Sequence, residues 1–585
     1  MKDEQIKNRH LRNNEYYLKQ EQCDYLYKQS TLNYIFTKLI GLILDINNLR
    51  LAYRNIKKNK GKNAKGVSGK NLTWISQMKL KVYLLFVSMQ IRNYKPGLIR
   101  RVGIPKANGK IRFLGIKEAI DKIVEQAILQ IIEPIAIAKF HNNSNGFIKG
   151  RDQKRAISQM INFINVNKLY YVVDIDIKGF FDNVDHGKLL KQLWAMGIRD
   201  KCLLSILSKL LKAEVLGVGK MAKGTSQGGI LSPLLANIYL NELDWWLESK
   251  KNKGIKFVRF ADDFKIFCPN YAVAKDMLIK VTKWLNNRLK LEVSKEKTKI
   301  VNLKRNNSEF LGYRFKLKKK GNGYKIVSNM KEKAIENFNN EAKKQVRKIK
   351  KYKNNDKKLF VEIDKFNSLV RGIHNYFNYA TKIKYNLSRT SRVISRYIYV
   401  NFKEVLTYIE EKTKWDIINV KHGEDYKIKI PCIRGKPLEV IGNISYNFKQ
   451  YRGNRNFYDP NSRKLFHKKL QIENEFMIGI ILKYPYMDET VEFNDNVIPK
   501  FCEQFGKFRF TEKCIYDMRD FNVVRKVNNG SDKYDNIIIV NNQVAKLLKI
   551  KGDDIIENNR YKKGIKIEQL VKINLIRKEN NQSLI

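Results

Sequence analysis

Two adjacent aspartates, Asp262 and Asp263, stand between the apolar stretches 256–260 and 264–268. Such a segment reads as two short strands joined by a tight turn, with both carboxylates at the tip. A second pair, Asp174 and Asp176, lies in the segment LYYVVDIDI (169–177), which also reads as a strand. Side chains alternate along a strand, so these two carboxylates face the same side. The chain has few acids to place: 57 Asp and Glu stand against 115 Lys and Arg, a formal net charge of +58. Carboxylates gathered at strand ends suit hard divalent cations such as Mg²⁺, which take oxygen ligands. Two such ions about 3.5–4 Å apart stabilise both the attacking and the leaving oxygen of a phosphoryl transfer. An isolated Asp-Asp is otherwise a solvated turn, so the neighbouring residues decide between the two readings.

The charge surplus itself implies a polyanionic partner, most simply nucleic acid. With 43% hydrophobic and 11% aromatic residues the chain is a folded protein and not a disordered basic tail. Its 585 residues suggest three or four domains. No apolar run approaches the ~18–20 residues that span a bilayer, so no membrane partner is expected. Met1-Lys2-Asp3-Glu4 carries charge where a signal peptide needs an apolar stretch. Cys23, Cys202, Cys268, Cys432, Cys502 and Cys514 are scattered and form no CxxC pair, so neither a disulfide framework nor zinc is expected.

Along the chain, residues 1–30 read as charged helix and 57–69 as a basic, Gly-punctuated loop. Residues 98–116 read as a β-hairpin turned at Asn108-Gly109, and 119–138 as a helix. Residues 310–315 and 324–327 read as strands flanking a turn over 319–323. Residues 330–420 read as mostly helical and basic, with 350–358 as a polar linker; after about 430 loops and short strands are expected.

The neighbours of the aspartates match a family. FVRFADDFKIF (257–267) resembles the palm motif of reverse transcriptases, usually Tyr-Ala-Asp-Asp, with Phe260 in place of Tyr. DIDIKGFFDNVDH (174–186) resembles the family's Asp-Ile-Lys-Gly-x-Phe block, and GTSQGGILSPLLANIYLNELD (224–244) its Gly-Thr-Pro-Gln-Gly-Gly block, with Ser226 for Pro. RRVGIPKANGKIRFLGI (100–116) resembles the fingertip hairpin; LEVSKEKTKIVNL (291–303) and FLGYRF (310–315) resemble the last two polymerase blocks. In this order they are similar to group II intron-encoded reverse transcriptases, the intron maturases. Residues 49–69 resemble the family's N-terminal extension block, with Ser68 where an Asp is common, and LVRGIHNYFNYA (369–380) resembles the thumb, or maturase domain X.

The resemblance implies an α+β multidomain protein: a right-hand polymerase (fingers and palm), a helical thumb/maturase domain, and a small irregular C-terminal nuclease-like domain. Its boundaries would be 1–95 for the N-terminal extension and start of the fingers, 96–327 for fingers and palm, 328–425 for the thumb, 426–490 for a DNA-binding-like linker, and 491–585 for the ending. It implies Asp176, and not Asp174, as a metal ligand, with Ile177, Asp262 and Asp263 completing a two-Mg²⁺ site. Asp176, Asp262 and Asp263 would be catalytic. Lys106, Arg112, Phe181 and Gln227 would bind the dNTP, Phe181 as a steric gate against a 2′-OH. Arg100, Lys110, Lys297 and Arg371 would contact nucleic acid, although any one basic residue in such a chain could simply be solvated. Tyr376, Phe377 and His374 are expected to pack within the thumb. The partners implied are intron RNA, target DNA, a primer–template duplex and dNTPs, with a homodimer possible. The implied setting is a bacterial cytoplasm or nucleoid, or an organelle. Two other readings compete: a splicing cofactor that binds RNA without polymerising, and a defence or retron-like reverse transcriptase. The intact carboxylate trio favours polymerase over cofactor.

Residues 491–508 and 528–549 resemble the HNH endonuclease ending of many relatives, with Asp532, Tyr534 and Asn536 retained. Ala545 and Lys549 occupy positions where the family has His. The six histidines are at 10, 141, 186, 374, 422 and 467, so none lies beyond residue 467. HNH chemistry needs a His general base, so an inactive nuclease remnant is expected, kept as a nucleic-acid-binding platform or merely decaying.

Overall fold

The computed structural model describes residues 13–105, 111–413, 426–450, 453, 455–464, 475–528, 530–549 and 561–585. The expected turn at Asn108-Gly109, with Lys106 and Lys110, lies outside the described residues, as do His10, His422 and His467.

The first unit contains the strands β1 (Arg100–Pro105), β2 (Ile111–Ile116), β3 (Ser144–Asn145), β4 (Tyr171–Ile175), β5 (Glu214–Val215), β6 (Gly219–Lys220), β7 (Lys256–Phe260), β8 (Asp263–Cys268) and β9 (Lys299–Asn302). β1 and β2 form the expected antiparallel hairpin. Five strands form the central sheet in the order β3-β7-β8-β4-β9. Among its helices are α1 (Ile46–Lys57), α2 (Ala119–Lys139), α3 (Gln153–Asn165), α4 (Ser232–Glu248) and α5 (Tyr271–Leu289).

Alternation along the strands sorts the sheet into two faces. Val173, Ile175, Phe257, Phe264, Ile266 and Cys268 join a core with α2, α4 and α5. Val172, Val258, Phe267 and Val301 join a second core with α3 and the helices that come after the sheet. Asp174, Asp263 and Lys265 share the parity of this second face. The strand expected over 169–177 is shorter, ending at Ile175. The ladder with β8 ends at the pair Ile175–Phe264, so Asp176 lies just past its end. Ile177 makes one isolated bridge, to Val293.

The segment 310–315 is broken and not one strand. Leu311 and Gly312 both take positive φ, 48° and 81°, and turn β10 (Ser308–Phe310) into β11 (Tyr313–Lys320). β11 pairs with β12 (Gly323–Met330) across the expected turn.

Three helices come next: α6 (Glu332–Lys351), α7 (Asp356–Phe377) and α8 (Ile383–Phe402). The helical reading to residue 420 does not hold. β13 (Leu406–Thr413), β14 (Tyr426–Ile433) and β15 (Lys436–Pro437) form an antiparallel sheet instead. Strand–strand hydrogen bonding between two β-branched-rich segments wins over helix propensity there. A domain boundary at 425/426 would cut this sheet. Ile433, Leu438, Ile441 and Ile444 also pack into the core of α6, α7 and α8.

The C-terminal region is more helical than expected. A helix over Glu475–Lys483 and α9 (Val491–Glu503) precede the hairpin of β16 (Asn522–Arg525) and β17 (Ile537–Val540), then α10 (Asn542–Lys549) and a helix over Ile567–Glu579. Its core contains Tyr16, Tyr17 and Leu51 from the N-terminal helices, so it is not a free appendage. Among the described residues no helix is long and apolar enough to cross a membrane.

Candidate active site

The tip of the β7–β8 hairpin is held from beneath. Ala261 adopts φ 56°, letting the chain reverse between Phe260 and Asp263. Its N–H donates to the Asn145 carbonyl at 2.9 Å. Arg259, fully buried, lies under the turn. Its guanidinium donates to both Asp244 oxygens at 2.8 and 2.6 Å, to Asn237 Oδ1 at 2.8 Å, to the Ala261 carbonyl at 2.8 Å and to the Ser144 hydroxyl. A forked, always-charged donor is what can tie strand, turn and helix together at one point. Gly146 closes the packing: a Cβ there would stand 3.0 Å from the Ala261 nitrogen.

The hairpin presents Asp262 and Asp263 beside Asp176. Burial comes first among the causes that raise the Asp262 carboxyl, with the nearby Asp176 charge adding to it and Arg112 and Arg259 opposing. Asp263 opens β8, with its side chain exposed at the strand end while the rest of the strand is buried. Desolvation, the largest cause, pushes it up to about 6, with Asp174, Asp262 and Asp176 adding and Lys265 opposing. Desolvation and neighbouring negative charge thus raise both carboxyls of the turn, as in a site short of cations.

Asp174 is different. It is buried, paired to Lys265 Nζ at 2.7 Å, and accepts from the Ser308 hydroxyl at 3.1 and 3.2 Å. Its charge is balanced inside the fold, whereas Asp176 meets its cation at the surface. Asp176 is half-exposed and its oxygens lie 3.1 and 3.3 Å from Lys297 Nζ. Ile177 can offer only its main-chain carbonyl. The Ser294 N–H to the Asp176 carbonyl and the Lys178 N–H to the Glu292 carbonyl hold it in place through its neighbours. Among the described residues, no three His, Cys, Asp or Glu side chains are gathered tightly enough to hold a metal ion as they stand. The donor chemistry of Asp176, Asp262, Asp263 and the Ile177 carbonyl is nonetheless all hard oxygen, which fits Mg²⁺.

Around the carboxylates stand the residues expected to meet a nucleotide. Arg112 Nε donates to Gln227 Oε1 at 2.7 Å, and the Gly115 N–H to the Gln227 carbonyl at 2.7 Å. The hairpin is thus docked on the Gly-rich block. Gly228, at φ 105°, permits this: a Cβ there would meet the Leu114 side chain at 2.7 Å. Phe181 is half-buried, edge-on to Phe180 at 5.3 Å, and its carbonyl accepts the Thr225 N–H at 2.7 Å. Two expected nucleic-acid contacts are engaged within the chain: Arg100 donates to the Lys65 carbonyl at 2.9 Å, and Arg371 pairs with Glu439 at 2.8 Å. Phe377 is buried, Tyr376 half-buried, and His374 Nε2 lies 2.9 Å from the Ile441 carbonyl, all three in packing roles.

Sequence reasoning missed Arg259, Asp244, Lys265 and Ser308. Arg259 stands inside the 257–267 motif, but no spacing rule marks an arginine in an apolar strand as buried.

In the C-terminal unit, Asp532 accepts from Arg525 Nε at 2.6 Å and from the Thr490 hydroxyl at 2.6 Å. Asn536 Nδ2 donates to the Val527 and Ser531 carbonyls at 3.1 and 3.0 Å. Ala545 is buried within α10.

A family model described as reverse transcriptase (RNA-dependent DNA polymerase) matches residues 104–315. The chain is 30% identical over 358 residues to the group II intron-encoded protein LtrA of Lactococcus lactis subsp. cremoris, covering 50% of this chain and 59% of that protein. It is 29% identical over 340 residues to protein YkfC of Escherichia coli K12, covering 52% of this chain and 89% of that one. It is 31% identical over 227 residues to the putative COX1/OXI3 intron 2 protein of Saccharomyces cerevisiae, covering 38% and 26%. The chain thus spans little more than half the length of the first of these relatives.

Proposed function

We propose that this chain, a reverse transcriptase domain with group II intron-encoded proteins among its relatives, is an RNA-dependent DNA polymerase and maturase encoded within a group II intron. One observation carries the polymerase reading. Asp176, Asp262 and Asp263 come from adjacent strand ends, and the Asp176 charge raises the other two carboxyls, while Asp174 beside them is buried against Lys265.

Asp176, Asp262 and Asp263, with the Ile177 carbonyl, would hold two Mg²⁺ ions. When bound, these ions supply the charge that activates a primer 3′-OH and steadies the leaving pyrophosphate. The chain's own residues do the rest. Arg259 holds the Asp262-Asp263 turn in place. Arg112, oriented by Gln227, and Lys106 neutralise the triphosphate. Phe181 excludes a 2′-OH by its bulk. Lys297, now against Asp176, would pass to a nucleic-acid phosphate once cations take its place. Lys110 and Arg100 would track the template.

The α6–α8 unit serves as thumb and as the intron-binding surface, reading structured RNA through shape and phosphate. The splicing chemistry belongs to the RNA. The C-terminal unit is an inactive HNH-like remnant that contacts target DNA. Arg525 and Thr490 occupy the Asp532 carboxylate, and no His is available beyond residue 467. Insertion would then proceed without second-strand cleavage, priming on a nascent strand at a replication fork. The protein would work in a bacterial cytoplasm or nucleoid, with a homodimer on one RNA possible.

Purified protein with Mg²⁺ and dNTPs should extend a primer on an RNA template, and Asp262→Ala should abolish extension. A wild type that binds intron RNA but never extends would sink the polymerase reading and leave an RNA-binding cofactor. Bottom-strand cleavage of a double-stranded target would refute the inactive-nuclease reading.

A further inference from the structure

Behind the central sheet lies a second surface with the chemistry of a nucleic-acid site. α4 and α5 cover the sheet face opposite the one that carries Asp174 and Asp263. Between them opens a groove of about 410 Å³. Two half-buried indoles line it, Trp246 of α4 and Trp284 of α5, stacked at 5.2 Å with planes 24° apart. Four cations surround them: Lys250, Lys280, Lys283 and Arg288. Lys280 is paired with Asp276 at 2.7 Å, and Arg288 with Glu242. Lys250 and Lys283 have no carboxylate partner among the described residues. Lys250 Nζ instead lies 5.6 Å from the Trp246 ring centroid.

The bland reading is that the indoles only seal the edge of the core. It accounts for their buried halves but not for four cations gathered around their open side. An aromatic platform ringed by lysines is the arrangement that takes single-stranded nucleic acid: bases add to the stack and phosphates meet the ammonium groups. A duplex keeps its bases paired and offers no free ring face to such a platform. A protein partner would need a larger apolar surface than two indoles.

We infer that the Trp246–Trp284 groove binds a single-stranded stretch of RNA or DNA that is not the strand pair in the catalytic cleft. The sheet separates the two sites, so both can be occupied at once. A displaced or trailing strand could be held there while the cleft works.

The test blocks the cleft first. Full-length protein is saturated with a short hairpin primer–template, and labelled oligo(U) or oligo(dT) is added while anisotropy and indole fluorescence are monitored. Wild type should bind the second strand and quench. Lys250→Glu with Lys283→Glu, both surface changes, should weaken that binding about tenfold or more while leaving short-template extension unchanged. Trp284→Leu should weaken it and remove the quench. Preference for oligo(U) or oligo(dT) would say which strand is held. Absence of second-strand binding, or binding indifferent to the lysine reversals, would overturn the inference. So would a dimer that those reversals dissociate without affecting the oligonucleotide. The readout needs no polymerisation, so its failure is distinct from failure of the polymerase reading.

Discussion

Asp263 bears two opposite demands. A carboxyl raised to about 6 in the folded chain, against an ordinary value near 3.8, favours its neutral form. The sign is set by that direction: as pH rises from 4 through 6 the metal-free fold loses stability, because the folded state must ionise a group that the unfolded chain ionises more readily. Asp263→Asn should therefore raise the melting temperature of metal-free protein at pH 7 while eliminating primer extension. Solvent in the cleft screens part of the effect, so the gain should be under about 1 kcal/mol. A neutral variant that melts lower at pH 7 would contradict the crowding. Arg259 makes the opposite prediction. Arg259→Leu strands the buried Asp244 charge and should cost about 3–5 kcal/mol in a denaturant titration. Arg259→Lys keeps the charge but not the fork, so the hairpin tip should shift. Extension should slow by up to about 10²-fold, with the melt less affected than in the leucine variant.

At the scale of elements, the C-terminal unit is joined to the N-terminal helices by a buried charge cluster. Asp495 of α9 accepts from Tyr17 at 2.9 Å and pairs with Arg54 at 3.1 Å and Lys57 at 3.0 Å, both on α1. Burial alone would raise this carboxyl; Arg54 and Lys57 outweigh it and hold it below the usual range. A depressed carboxyl stabilises above its unfolded value, near 3.9, and its contribution fades as pH falls through the folded one. Docking of α9 should thus hold at neutral pH and loosen below about pH 4, seen as earlier proteolysis of the C-terminal unit. Asp495→Asn should loosen it at pH 7, at a cost of about 3–5 kcal/mol for the two cations left behind. This contact was illegible in the sequence, because its partners are more than 430 residues apart. The β1–β2 and β7–β8 hairpins were legible, since turn residues and alternation are local signals. The β13–β15 sheet was not. Its strands pair across a long connection, and the end of the helical pattern at Phe402 carries no local signal that a strand begins at Leu406.

For the whole molecule, the net charge of +58 matters only through the cations that remain unpaired. Arg54, Lys57 and Arg259 are spent inside the fold, and Arg371 and Arg434 are paired at its surface with Glu439 and Asp356. Arg389, Arg392 and Arg396 are exposed on α8, spaced i, i+3 and i+7, and so share one face of the helix. None of the three has a carboxylate partner among the described residues, and exposed Tyr385 and Tyr399 flank them along the helix. A phosphate neutralised by such a residue releases counterions, so affinity falls linearly with salt on logarithmic axes, by about 0.7–0.9 units of slope per contact. Replacing all three with Gln should flatten the salt dependence of intron RNA binding by about 2–3 units of slope. Replacing Arg371 and Arg434 should barely change it, because their pairing leaves little charge to neutralise phosphate. Equal slopes for the two sets, measured by filter binding across a salt series, would mean that the chain binds RNA as a diffuse cloud of charge and not through the face of α8.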